Sequence, residues 1–287
     1  MARFVSRIVL AYVRYCPIER GKWRLLRIAN QFLVVRLGPN VLMRIAGMSN
    51  VEMAIARNGM FEGETVELFL KLLTPGMTVL DVGANVGIYT LLAAERVGPA
   101  GRVYAFEPTH HVAAKLRSNV RLNGFDNVDV NEMAVSDSCG EATLFYVEDD
   151  GENNILAPEP GYDTSAKIPT ITLDEFMALK GIDKVDVIKM DIEGAELMAL
   201  RGASRLLVGD QCPVIFLEVN PRTLAFGKSR AADLVEFLQQ HGYQVGRIAT
   251  YGVNTHDPWS NVVAYKPVHQ DRWPFLQTSS FLPVMAT

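Results

Sequence analysis

The sequence predicts an α/β fold of the Rossmann-like kind, a mostly parallel sheet with helices on both faces. Three observations carry this. An apolar run from Met77 to Val82 reads as a buried parallel strand, and it passes through the turn Gly83-Ala84-Asn85-Val86-Gly87 into a helix-like segment, Ile88 to Ala94. A second apolar run, Val103 to Phe106, is closed by Glu107-Pro108. From there strand-like and helix-like segments alternate as far as Tyr265, the pattern of βαβ units.

The first turn carries chemistry. Glycine at 83 suits a backbone that approaches a ligand, and glycine at 87 suits a helix packed close to the sheet. An ordinary βα turn also uses glycine, so both readings stand. The spacing Asp-x-Gly-x-x-x-Gly that begins at Asp81 is not the G-x-G-x-x-G of dinucleotide folds. Asp81 would repel a pyrophosphate and attract an ammonium group. S-adenosylmethionine has an ammonium and a sulfonium and no phosphate. Glu107, at the tip of the second strand, can accept both ribose hydroxyls, as the second acid does in dinucleotide folds.

Asp81 to Thr90, Phe106-Glu107-Pro108 and Ile188 to Glu196 together resemble the FkbM family of S-adenosylmethionine-dependent methyltransferases. Gly59 to Glu62, Asn119 to Asn123 and Ala134-Val135-Ser136 resemble it too, so the likeness covers about Gly59 to Tyr265. The first stretch is shared across a superfamily; Lys189 to Glu196 narrows it to the family. The resemblance implies a class I methyltransferase sheet of seven strands and methylation of a hydroxyl on a sugar, glycan or small metabolite. It also implies a cofactor shell of Asp81, Gly83, Ala84, Asn85, Gly87, Tyr89, Glu107, Pro108, Ala134 and Asp191, with the adenine near Ala134-Val135.

Length and composition agree with one large domain and appendages. The 287 residues, 49% of them hydrophobic, suffice for a sizeable core. They divide into an N-terminal helical extension (1–58), the methyltransferase domain (59–267) and a C-terminal tail (268–287). Residues 1–36 hold eight basic residues and one acid, net +7, which leaves −11 for the rest of a chain whose total is −4. An acidic body does not suit nucleic acid or another polyanion as partner. Cys16, Cys139 and Cys212 are scattered and form no C-x-x-C, so they read as reduced thiols of a cytoplasmic protein.

In chain order, Ile8 to Val13 is an apolar run among Arg3, Arg7 and Arg14, too short for a membrane span. It reads as a helix packed on the domain, with weak contact to an anionic membrane surface as the alternative. Residues 40 to 73 read as helical, ending in Thr74-Pro75-Gly76. The resemblance implies that the loop Asn58 to Gly63, with Glu62, lies over the cofactor; alternatively Glu62 complements the dipole of the helix it precedes. After the helix Thr109 to Asn123, a third strand is expected over Val128 to Ala134 and an antiparallel one over Glu141 to Val147. Glu148 to Lys167 reads as an insertion, either a lid or a solvated acidic loop, whose Asn153 and Asn154 suit sugar hydroxyls. Strands follow at Ile168 to Leu173, Val185 to Met190 and Pro213 to Glu218, with helices at Gly194 to Leu207 and Arg230 to Gln240. Tyr243 to Ile248 and Asn261 to Tyr265 fit a closing hairpin, and Val268 to Thr287 fits a docked tail without a period.

Methyl transfer to an alcohol needs alignment and a group to take the hydroxyl proton. Ligands of such folds sit at the carboxyl ends of the parallel strands, where Glu107, Asp191 and Glu218 lie. With Glu107 on the ribose, Asp191, Lys189 and Glu218 are the candidate catalytic residues. Lys189 and Asp191 are two apart on one strand and share a face, as a reacting pair or a structural ion pair. No metal is favoured. The alternative is a divalent cation held by Asp191, Glu218 and Asn220, a set similar to that of metal-dependent catechol methyltransferases. His256 reads as a solvated loop residue or a general base. The expectation is therefore an S-adenosylmethionine-dependent O-methyltransferase acting on a small molecule or glycan. A nicotinamide-dependent oxidoreductase and a non-catalytic ligand-binding module are the alternatives. Nothing in the sequence sets an oligomeric state.

Overall fold

The computed structural model describes residues 33–45, 49–60, 63–146, 153–154, 164–209, 211–248, 260–277 and 281–283, and helical positions 8, 11, 12 and 15. The segment expected to be helical from residue 40 opens instead as a hairpin, β1 (Val34–Arg36) antiparallel to β2 (Leu42–Arg44). Its buried side chains alternate, Val41, Met43 and Ile45, which is the period of a strand. Helix α1 (Asn50–Asn58) starts at a capping box made by Ser49 and Glu52. Helix α2 (Gly63–Leu72) buries Val66, Phe69 and Leu72 on one face. Phe61 and Glu62 lie outside the described residues.

The sequence then alternates as expected: β3 (Thr78–Val82), α3 (Ile88–Val97), β4 (Arg102–Phe106), α4 (His110–Asn123) and β5 (Val128–Asn131). The third strand stops at Asn131. Ala134 belongs to β6 (Ala134–Val135), which leaves the main sheet and pairs in parallel with Thr170–Ile171. With β7 (Gly140–Tyr146), β8 (Asn153–Asn154) and β9 (Thr164–Ile171) it forms a second sheet of order β6-β9-β7-β8. Strand β9 thus begins at Thr164 and not at Ile168. Its inward-outward alternation runs straight across Pro169. Proline is tolerated there because β9 pairs only with β7 at that position, and β6 joins only at Thr170. The remainder of the expected insertion, 147–152 and 155–163, lies outside the described residues.

Helix α5 (Leu173–Lys180), β10 (Val187–Met190), α6 (Glu196–Arg201), β11 (Val214–Val219), α7 (Pro221–Phe226), α8 (Ala231–Gln240), β12 (Gln244–Ile248) and β13 (Ser260–Tyr265) complete the domain. Helix α6 is shorter than the expected Gly194 to Leu207. The tail is docked: α9 (Pro267–Arg272), a 3₁₀ turn (Pro274–Gln277) and β14 (Phe281–Pro283). Trp273 is buried and its indole N–H donates to the Leu72 carbonyl at 3.1 Å.

The main sheet has the order β14-β12-β13-β11-β10-β3-β4-β5. The seven expected strands are present, mostly parallel, and the tail strand β14 adds an antiparallel edge. Alternate strand residues feed two cores. Val79, Val103, Val187 and Phe216 face α2, α3, α4 and the hairpin. Leu80, Phe106, Ile188 and Leu217 face α5, α6 and α8. Among the described residues no helix is long and apolar enough to cross a membrane.

Candidate active site

Two strand ends are stitched together by the first turn. The Gly83 and Ala84 amides both donate to the Phe106 carbonyl, at 3.0 and 2.9 Å. Gly83 therefore does not present its amide to a ligand. Its φ is +81°, and a Cβ there would stand 1.8 Å from the Asp191 carbonyl oxygen. Protein backbone by itself is enough to require glycine here. Gly87, at φ +103°, is required by a helix: a Cβ would lie 2.4 Å from Leu116 Cδ1 on α4. Asn85 also has positive φ, 50°, and its amide donates to Glu107 Oε2 at 3.0 Å.

Glu107 is buried at the carboxyl end of β4, and its Oε1 accepts from the Thr109 amide at 2.9 Å. Each carboxylate oxygen keeps a further lone pair, so the group retains capacity for a vicinal diol. Burial pushes its pKa up to about 7, against the pull of the Thr109 and Asn85 amides. Pro108 beside it is half-buried, and Ala134 is buried in the second sheet.

The strand period places the charged residues. Lys189 stands in register with Asp81 on β3 and Phe216 on β11, on the face covered by α3. Asp81 is 1% exposed and accepts from Thr90 Oγ1 at 2.5 Å. Burial raises its pKa, and Lys189 opposes that. Lys189 Nζ lies 2.8 Å from Asp191 Oδ2 and 4.8 Å from the centroid of the Tyr89 ring. Tyr89 itself, expected at the cofactor, is buried in the core with its ring edge-on to Phe69 at 5.2 Å.

Met190 and Leu217 are register partners, so Asp191 and Glu218 follow side by side on the same face. Asp191, Glu193 and Glu218 each offer a carboxylate oxygen, all within 4.8 Å of one another. Burial would raise Asp191, but Lys189 and hydrogen bonds from Glu218 and Lys189 carry its pKa below the ordinary value. Glu218 is pushed up to about 11, first by the Asp191 charge, then by burial and its hydrogen bond to Asp191. At neutral pH the pair therefore holds one proton and one negative charge.

Asn220, the amide of the metal alternative, has another task. Its Oδ1 accepts from the Arg222 amide at 3.0 Å and caps α7. Glu193 stands in its place. Glu193 reaches the cluster from a left-handed conformation, φ +53°. Glu196 holds that turn: its Oε1 accepts from the Ile192 and Gly194 amides at 3.1 and 3.2 Å. The three carboxylates are a donor set of the kind hard divalent cations take; Lys189 already supplies a cation to one of them. His256 lies outside the described residues, and so do the side chains of Asn153 and Asn154.

From the sequence, Glu193 and Glu196 read as helix-start carboxylates favoured by the dipole, whereas the structure brings Glu193 to the acid cluster. No local sequence signal marks its left-handed backbone, since glutamate is not among the residues that favour it. Asn119 has only its place in the family-like stretch Asn119 to Asn123. Its Nδ2 donates to the Val86 carbonyl of the first turn at 3.0 Å.

A family model described as the methyltransferase FkbM domain matches residues 81–245. The chain is 32% identical over 203 residues to the 31-O-demethyl-FK506 methyltransferase FkbM of Streptomyces tacrolimicus, covering 60% of this chain and 75% of that protein. It is 24% identical over 179 residues to the 2-O-methyltransferase NoeI of Sinorhizobium fredii, covering 57% and 72%. It is 25% identical over 238 residues to the AMB antimetabolite synthetase AmbE of Pseudomonas aeruginosa, where the match covers 70% of this chain but only 11% of that protein. The nicotinamide alternative falls away with these matches. This chain belongs to the FkbM-domain family of S-adenosylmethionine-dependent methyltransferases.

Proposed function

We propose that the protein methylates a hydroxyl on a sugar, glycan or other small molecule, with Asp191 taking the hydroxyl proton. The observation that carries this is the trio Lys189, Asp191 and Glu218 at adjacent strand ends, Lys189 and Asp191 being 2.8 Å apart. S-adenosylmethionine, when bound, supplies an electrophilic methyl group. Glu107 would hold its ribose hydroxyls. Asp81 would act through its charge, since it is 1% exposed and engaged by Thr90.

Asp191 is ionised at neutral pH and 25% exposed, so it can accept a proton from a group above the strand ends. Its lowered basicity is no obstacle. An alcohol oxygen becomes strongly acidic as it gains a methyl group, so a weak base suffices when the proton leaves late. Glu218, holding its proton, donates to Asp191 and orients it. Lys189 holds the same carboxylate through Oδ2 at 2.8 Å. The names of two relatives, a 2-O-methyltransferase and a 31-O-demethyl-FK506 methyltransferase, support oxygen as the acceptor atom. The net −11 outside the first 36 residues supports an acceptor that is not polyanionic. A cytoplasmic setting is supported by Cys139 and Cys212, which are free thiols.

The test is incubation with methyl-labelled S-adenosylmethionine and a panel of glycans, polyols, phenols and amines. Label on oxygen of a hydroxylated acceptor is the expected result. Label only on nitrogen or carbon would overturn the assignment, and cofactor binding without transfer to any member would favour a non-catalytic module.

A further inference from the structure

We infer that Asn119 is a positioning residue for the cofactor turn, tying Val86 to the N-terminal hairpin. The inference rests on the reading of the Gly83 to Gly87 turn as the cofactor site. Leu116, Asn119 and Asn123 are spaced three and four apart on α4 and so share one face. Leu116 fills the place that a Cβ on Gly87 would take. Asn119, 1% exposed, uses both ends of its amide. Nδ2 donates to the Val86 carbonyl at 3.0 Å, and Oδ1 accepts from the Arg44 amide of β2 at 2.8 Å.

Asn123 serves the hairpin. Its Oδ1 accepts from the Leu42 amide at 2.8 Å, and its Nδ2 donates to the Leu42 carbonyl at 2.7 Å and to the Asn119 carbonyl at 2.8 Å. The two side chains together act as a neighbouring strand for β2. Only Asn119 also reaches the turn. The residue it holds, Val86, directly follows Asn85, whose amide engages Glu107 at 3.0 Å. A continuous path thus runs from β2 through Asn119 and the turn to the acid assigned to ribose. Val86 is itself buried, so losing Asn119 would leave its carbonyl without that donor in a dry place.

The separation of Asn119 from Asn123 makes the test. Calorimetric titration with S-adenosylmethionine would be run on the full chain and on Asn119→Ala, Asn123→Ala and Glu107→Ala. Asn119→Ala is expected to weaken binding roughly five- to a hundredfold. Its kcat at saturating cofactor should stay within about twofold, since the acids are untouched. Asn123→Ala, which removes the contacts to Leu42 and to the Asn119 backbone carbonyl but leaves the Asn119–Val86 bond in place, should change affinity less than about twofold. Native affinity in Asn119→Ala beside weakened Glu107→Ala would overturn this inference alone. An equal loss in Asn123→Ala would also overturn it, as a general effect of hairpin loosening. Native affinity in Glu107→Ala would overturn the site reading and this inference with it. Should Asn119→Ala fail to fold, Asn119→Asp replaces it with the same outcomes: it keeps an acceptor for Arg44 and loses the amide donor to Val86.

Discussion

Gly83 and Asp191 touch through backbone. A Cβ on Gly83 would stand 1.8 Å from the Asp191 carbonyl oxygen, and Gly83 has φ +81°. The Gly83–Gly87 turn and the acid-bearing end of β10 are one packed unit. Gly83→Ala must therefore shift β10 or the turn, and overpacking of this kind costs about 1–3 kcal/mol. The left-handed backbone adds about 1–2 kcal/mol for an L side chain. The variant is expected to unfold at lower temperature and to lose cofactor affinity and turnover together. Thermal unfolding checks it; a native midpoint would show that the contact is not as close as described.

Glu107 gives a pH signature. Its folded pKa is about 7, against an ordinary value of 4.5, because of burial. The folded ligand-free protein thus binds more protons than the unfolded chain between those values. Its contribution to stability is fully present below the lower value and is lost as pH rises through the upper one. The ionised form is the better acceptor for two hydroxyls. S-adenosylmethionine affinity is expected to rise as pH climbs through about 7, and Glu107→Gln should flatten that rise while lowering affinity about ten- to a hundredfold. Titration calorimetry across the range decides; an equally steep profile in the variant would remove Glu107 from the ribose.

Asp191→Asn keeps size and removes charge. Loss of general-base assistance costs about 10²–10⁴ in rate, so turnover should collapse while S-adenosylmethionine affinity barely changes. A chelator is expected to leave native turnover unchanged, because Lys189 already balances the Asp191 charge at 2.8 Å. Activity lost with chelator and regained with Mg²⁺ would instead assign Asp191, Glu193 and Glu218 to a cation. Near-native turnover in Asp191→Asn would remove it as the base.

Lys189→Met tests what keeps Asp191 ionised. Burial raises the pKa of Asp191, and Lys189 is the foremost group opposing it. Activity needs the carboxylate, so it is lost as pH falls through that pKa. Without Lys189 the pKa rises, and the acid limb of the kcat/KM profile should move to higher pH. A limb that stays in place would mean that Lys189 is only a structural partner for Tyr89.

Much of this was legible because it is local. The apolar run before Gly83, the alternation of strand and helix, and the acids at strand tips all follow from period and position along a few residues. The pairing of Lys189 with Asp191 follows from a strand period of two, and its 2.8 Å ion pair is the direct consequence. Local period fails where apolar residues are few: Thr164 to Lys167 holds no large apolar residue to mark the start of β9, and the three-residue strands Val34–Arg36 and Leu42–Arg44 are too short to show alternation.

What only the tertiary structure decided is which atoms meet across elements far apart in the chain. The sequence marked Gly83 and Gly87 as special, but the neighbours that demand glycine are the Asp191 carbonyl and Leu116. It placed Asn220 beside Glu218, but the amide caps α7, and Glu193 reaches the acids from a left-handed turn held by Glu196. It left Asn119 without a task until α4 packed between β2 and the turn. Periodicity says which face a side chain takes; strand order and helix packing, set by burial of both sheet faces at once, choose its partner.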